Sequence, residues 1–181
     1  NPAMSTCTPT IYNGRAYIGI SGTAQFGAYS GHNLTVIDIP NWEIAYTVRT
    51  HGYPQTSGVL TTAYMEETGC VYVYFFDNFT PGKLRVIRDM PGMTEVDHDY
   101  TTMETYSKDG EEHTIETAYV LFTPDGAQAQ YAICSPVVDE EGNIYFKNDS
   151  AQLMRLSSRI TELEVTQQPD RTTYSKDDTF D

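Results

Sequence analysis

The chain has 181 residues, with 25 acidic against 11 basic, and a formal charge of −14. That length holds one domain with its own core, and the charge repels a nucleic-acid backbone, so DNA and RNA are excluded as partners. No stretch is apolar for the ~18 residues that a membrane-spanning helix needs, so no membrane span is expected in this chain. The 14 Tyr and 7 Phe, with many Thr and Val, are residues enriched in strands, and runs of helical period are scarce. An all-β fold is expected.

In chain order, the first signal is Thr8-Pro9-Thr10-Ile11-Tyr12, then Asn13-Gly14, then Arg15-Ala16-Tyr17-Ile18-Gly19. Asn-Gly between alternating apolar residues predicts a tight hairpin. A Gly-rich loop follows, Phe26-Gly27-Ala28-Tyr29-Ser30-Gly31-His32, whose Phe26, Tyr29 and His32 are the candidates for contacting a ligand. Strands are predicted at Leu34 to Asp38 and Ile44 to Val48, with Asp38 capping the turn between them. A looser second copy runs Ser57-Gly58-Val59-Leu60, a turn at Glu66 to Gly69, and Cys70 to Phe75, then a third strand at Leu84 to Ile87. Alternation puts Tyr72, Tyr74 and Phe76 on one face and Phe75 on the other, a pattern that serves packing between sheets or, alternatively, a carbohydrate or peptide platform. A fourth strand is placed at Ala118 to Leu121.

Between them lies a polar stretch, Met90 to Glu116, read as an insertion. It holds Asp97, His98 and Asp99, then a Ser107-Lys108-Asp109-Gly110 turn, then Glu111, Glu112 and His113. Two imidazoles with several carboxylates would suit Ca²⁺ or another divalent metal if the insertion folded back on itself, and an exposed polar hairpin accounts for the same residues without one. The third copy reads Ser135-Pro136-Val137-Val138, a Gly142 turn, Ile144-Tyr145-Phe146 and Leu153 to Leu156, with a possible fourth strand at Leu163 to Val165.

The three copies start at equivalent points, Pro9, Gly58 and Pro136, which lie 49 and 78 residues apart. The first spacing is near the ~40–50 residues of a propeller repeat, and the second is longer by the insertion. Four short antiparallel strands per copy make a propeller blade. The predicted fold is therefore all-β, a partial β-propeller of about three four-stranded antiparallel blades. Blade 1 spans about 5–50, blade 2 about 55–123 with the insertion at 90–116, and blade 3 about 130–165; residues 166–181 form a polar extension.

The order of Thr-Pro, two apolar residues, a Gly turn, an aromatic strand and Leu-x-x-Ile-Asp resembles the pyrroloquinoline-quinone-like repeats of quinoprotein-dehydrogenase-like propellers. The resemblance extends to Asp38 and Tyr46, while Trp42 stands where the family's docking turn usually has Gly. Catalytic members hold a quinone with Ca²⁺ or a lanthanide, use an Asp base and commonly carry adjacent cysteines. Here Asp38 and Asp77 are the nearest candidates for the base, and no adjacent cysteines occur. The quinone is thus not expected, and no cofactor beyond a possible divalent metal is. Cys7, Cys70 and Cys134 form no CxxC pair, and free, buried thiols are expected at Cys7 and Cys134. His51 reads as a strand-end residue.

Propellers close with ~4–8 blades, so the partners expected are remaining blades from another segment or a homo-oligomer. The function expected is recognition of a protein or carbohydrate ligand by a non-enzymatic propeller segment of a secreted or cell-surface protein. Part of a quinoprotein dehydrogenase is the alternative, and a metal-dependent hydrolase built on the insertion is a distant one. The start at Asn1-Pro2-Ala3-Met4 suits a mature or excised segment, and sequons at Asn33, Asn78 and Asn148 would matter only in a glycosylating secretory route.

Overall fold

The computed structural model describes residues 4–23 and 30–157. They form antiparallel sheets, none closed into a barrel, so the protein is all-β. The first sheet is a meander of β1 (Thr10–Tyr12), β2 (Arg15–Ile20), β3 (Asn33–Asp38) and β4 (Glu43–Arg49). Asn13 and Gly14 turn the first hairpin with φ of 44° and 76°, the left-handed pair that this tight turn demands and that Asn and Gly tolerate.

The second sheet contains β5 (Val59–Thr61), β6 (Val71–Phe76), β7 (Leu84–Asp89), β8 (Thr101–Lys108) and β9 (Glu111–Phe122) in the order β5-β6-β7-β9-β8. The turn expected at Glu66 to Gly69 is a single helical turn, α1 (Met65–Thr68), stopped by Gly69 with φ of 71°. The insertion does not stand apart from the sheet. Its second half is continuous with the expected fourth strand, giving one long β9, and β8 pairs with it from Thr101 opposite Ala118 to Lys108 opposite Glu111. The third sheet holds β10 (Val137–Val138), β11 (Ile144–Lys147) and β12 (Leu153–Leu156). The strand expected at 163–165 lies outside the described residues.

Pro9, Gly58 and Pro136 each immediately precede or open the first strand of a different sheet. The register repeats as well. Thr10 faces Tyr17, Val59 faces Tyr74 and Val137 faces Tyr145; these tyrosines in turn face Val36, Val86 and Arg155. Two residues further along, Leu34, Leu84 and Leu153 occupy one equivalent place on the third strands.

The sheets stack through side chains of period two. Tyr17, Leu34, Val36, Tyr46 and Val48 of the first sheet form one core with Val73, Phe75, Ile87 and Ala118 of the second. The opposite face of the second sheet, Tyr72, Tyr74, Phe76, Leu84 and Val86, packs on Ile144, Phe146 and Met154 of the third. Every residue of β6 is buried as a result. Packing between sheets is what the Tyr72, Tyr74 and Phe76 alternation serves. The inner edges also meet, because Thr8 N donates to Ser57 Oγ at 2.9 Å and Thr10 Oγ1 donates to the Gly58 carbonyl. A Cβ at Gly58 would lie 2.9 Å from Val73 Cγ1, so the close approach requires glycine there.

Candidate functional site

β7 aims Arg85, Ile87 and Asp89 at the first sheet, and its two charged ends build two buried polar clusters. At one end the Asp89 carboxylate, fully buried, accepts from Arg15 Nε at 3.2 Å and Nη2 at 3.0 Å, from the Tyr17 hydroxyl at 2.7 Å and from the Tyr46 hydroxyl at 2.9 Å. Burial and the adjacent carboxylate push both tyrosine hydroxyls well above their ordinary range, so they remain protonated donors.

At the other end Arg85, also fully buried, donates to Asp77 Oδ2 at 2.8 Å, Glu104 Oε2 at 2.7 Å, the Thr117 hydroxyl at 3.0 Å and the Ala118 carbonyl at 2.8 Å. Asp77 further accepts from the backbone N–H of Gly52 and of Lys83. Glu104, on β8, also pairs with the Lys83 ammonium and accepts from Thr117 Oγ1. Burial alone would raise the Glu104 carboxyl, but Arg85, Lys83 and Thr117 outweigh it and bring it to about 2. The inserted hairpin is thereby clamped to the body of the second sheet.

His51 lies beside this cluster. Its ring stacks on Phe79 with centroids 4.5 Å apart, and its buried Nδ1 has no hydrogen-bond partner, standing 4.0 Å from Glu104 Oε1. Burial pulls the imidazole below its usual value, and the nearby Glu104 only partly opposes this. Asn78 Oδ1 is likewise buried without a partner.

The candidates read from sequence are distributed differently. Phe26 and Tyr29 lie outside the described residues. His32 is fully buried rather than displayed in its loop: Nδ1 accepts from Gly22 N–H at 3.0 Å and the ring stacks on Tyr53 at 6.1 Å, so it anchors the loop base. Within the insertion, Asp97 pairs with Arg88 and accepts from Asp99 N–H, and His98 Nδ1 meets Glu116 Oε1 at 2.7 Å. Glu111 and His113 sit towards the other end of the hairpin, where His113 stacks on Tyr106 at 5.2 Å. Positions 113 and 116 differ by an odd number, so their side chains leave opposite faces of β9, ~10 Å apart along the strand. The structure does not bring Asp97, His98 and Asp99 together with Glu111 and His113. Among the described residues no group of three or more His, Cys, Asp or Glu is placed to hold a metal ion.

Asp38 caps its turn as expected, accepting from Asn41 N–H and Nδ2. The three cysteines are free, but only Cys70 is buried. Cys7 and Cys134 are half-buried, contrary to expectation, because both sit in the lead-ins to β1 and β10 rather than within a strand; Cys7 Sγ accepts from Gly19 N–H at 3.1 Å. The sequon residues Asn78 and Asn148 are buried, so glycosylation of the folded chain at either is blocked. No described helix is long and apolar enough to cross a membrane.

Sequence reasoning missed both buried clusters. Alternation in Leu84-Arg85-Val86 reads as one core face and one wet face, and the only signal to the contrary is an acidic residue, Glu104, in the middle of a Thr-rich strand. No family model matches the chain, and no curated protein matches it.

Proposed function

We propose that the chain is a run of three β-propeller blades, of the quinoprotein-like repeat type, that serves recognition of a protein or carbohydrate ligand outside the cytoplasm. The observation that carries this reading is the shared register of three separate sheets, stacked so that equivalent faces point the same way. Tyr17, Leu34 and Val36 lie on the second sheet as Tyr74, Leu84 and Val86 lie on the third. Blades fanned around an axis repeat their interface in this one sense.

Recognition is favoured over quinone chemistry by the use made of the candidate carboxylates. Asp77 is occupied by Arg85 and two backbone amides, Asp38 caps a turn, and Asp89 is filled by Arg15 and two tyrosines. Each is committed to the local or inter-sheet structure that holds it. The Gly-rich sequence between β2 and β3, which ends at the buried His32, is the segment assigned to ligand contact, since such loops gather at one face of a propeller.

The test applies purified chain to arrays of immobilised oligosaccharides and peptides. Binding that is lost in the Phe26→Ala/Tyr29→Ala double variant is expected. In parallel, the chain is given pyrroloquinoline quinone, Ca²⁺ and an alcohol with a redox dye. Dye reduction that depends on all three would overturn the recognition reading.

A further inference from the structure

Among the described residues, the repeated register leaves two outer faces whose counterparts are covered elsewhere in the same chain. At the equivalent place on the third strands, Leu34 is 2% exposed and Leu84 0%, each buried by the following sheet, whereas Leu153 is 59% exposed. On the same outer face of the third sheet, two strands away and separated from it by Tyr145, Lys147 and Arg155, lies Val137, 62% exposed. At the other end of the stack, the first sheet turns outwards the face that the second and third use to receive a neighbour. There Ile11 pairs with Ala16, Ala16 with Ile37 and Ile37 with Ile44, making an apolar row across four strands whose ends, Ile11 at 65% and Ile44 at 63%, are exposed while Ala16 is buried and Ile37 half-buried between them. Single exposed apolar residues are ordinary, but a cross-strand row at repeat positions is an interface pattern.

We propose that these two faces bind each other between two copies of this chain, the outer face of the third sheet on one molecule receiving the outer face of the first sheet on the other. Both interfaces inside the chain set the same face of one sheet against the next, so the contact continues an arrangement the sequence makes twice, with Arg155 at the place of Val36 and Val86. Two such head-to-tail contacts, related by a two-fold axis, close a ring of six sheets, within the ~4–8 of known propellers. The closure rests on the propeller reading. Since each copy carries a charge of −14, mutual repulsion opposes pairing at low ionic strength and salt relieves it.

Sedimentation velocity of the purified chain tests this. The expected species has twice the 20.3 kDa chain mass, and its share increases as NaCl is raised from ~20 to ~300 mM, across which the screening length shortens several-fold. Leu153→Asp and Ile44→Asp, at exposed positions on opposite ends of the stack, should each yield a folded monomer by circular dichroism. A wild-type monomer throughout, an open series growing with concentration, or dissociation by one variant alone would each overturn the pairing. A monomer that still binds on the arrays sinks the pairing and leaves the recognition reading; a dimer that binds nothing does the reverse.

Discussion

The two inter-sheet interfaces are built from different materials. Between the second and third sheets the contact is aromatic and aliphatic throughout, with Phe76 and Phe146 ring centroids 5.0 Å apart and Met154 fully buried. Between the first and second, an apolar centre around Val36 and Ile87 is bracketed by a buried ion pair that crosses the interface, Arg15 with Asp89, and by a cluster held within the second sheet, Arg85 with Asp77 and Glu104. The apolar contact is non-directional and tolerates adjustment. The bracketed one fixes geometry, because a displaced sheet would leave a desolvated charge without its partner. The difference teaches that stability at one interface depends on pairing and at the other on volume, while the cluster inside the second sheet adds a dependence on pH.

The largest effect is expected from Arg85→Met, which strands two buried carboxylates and should cost about 3–5 kcal/mol in urea unfolding. Its counterpart, Phe146→Ala, should cost about 3 kcal/mol through the cavity it leaves, and that loss should be the same at pH 5 and pH 8. Equal pH profiles for the two variants would erase the distinction between the charged cluster and the apolar interface.

The pH dependence of the wild type sharpens the same contrast. His32 and His51 titrate below their usual value because burial disfavours the charged ring, so they contribute stability that is present above about 6.5 and lost as pH falls. Glu104 is also held low, at about 2 against a normal 4.5, so its contribution is complete above 4.5 and disappears as pH falls towards 2. Unfolding free energy measured from pH 8 to 2 should therefore decline in two stages. Arg85→Met should shrink the second, since Glu104 then loses the largest of the groups that offset its burial and keeps only Lys83 and Thr117.

The smallest effect concerns Trp42, which is 81% exposed and has φ of 53°, a left-handed conformation that favours glycine. Trp42→Gly should raise stability by up to about 1 kcal/mol, read as a higher urea midpoint with unchanged slope.

How much of this was legible in the sequence depends on the range of the interactions. The Asn13-Gly14 hairpin and the Asp38 turn cap are local, and residue type alone dictated them. The three-fold pattern was legible because repetition averages out local ambiguity, and the register from Thr10, Val59 and Val137 follows it closely. The extent of β9 was not, since a polar run such as Glu111-Glu112-His113-Thr114 has no core face, and its strand conformation comes from pairing with β8. Charge partners escaped entirely: Arg15 and Asp89 lie 74 residues apart, and nothing in either neighbourhood marks the other. For the same reason His32, read as part of an exposed loop, is found stacked on Tyr53 from a distant turn.

The most direct test of the stacking is a methyl-resolved nuclear Overhauser experiment on the isotope-labelled chain. Three sheets stacked in one sense require cross-peaks from Val36 to Val73 and Ile87, and from Val86 to Ile144 and Met154, with none joining Val36 to Met154. A cross-peak between Val36 and Met154, or contact of Val36 and Val86 with one shared partner, would contradict that order.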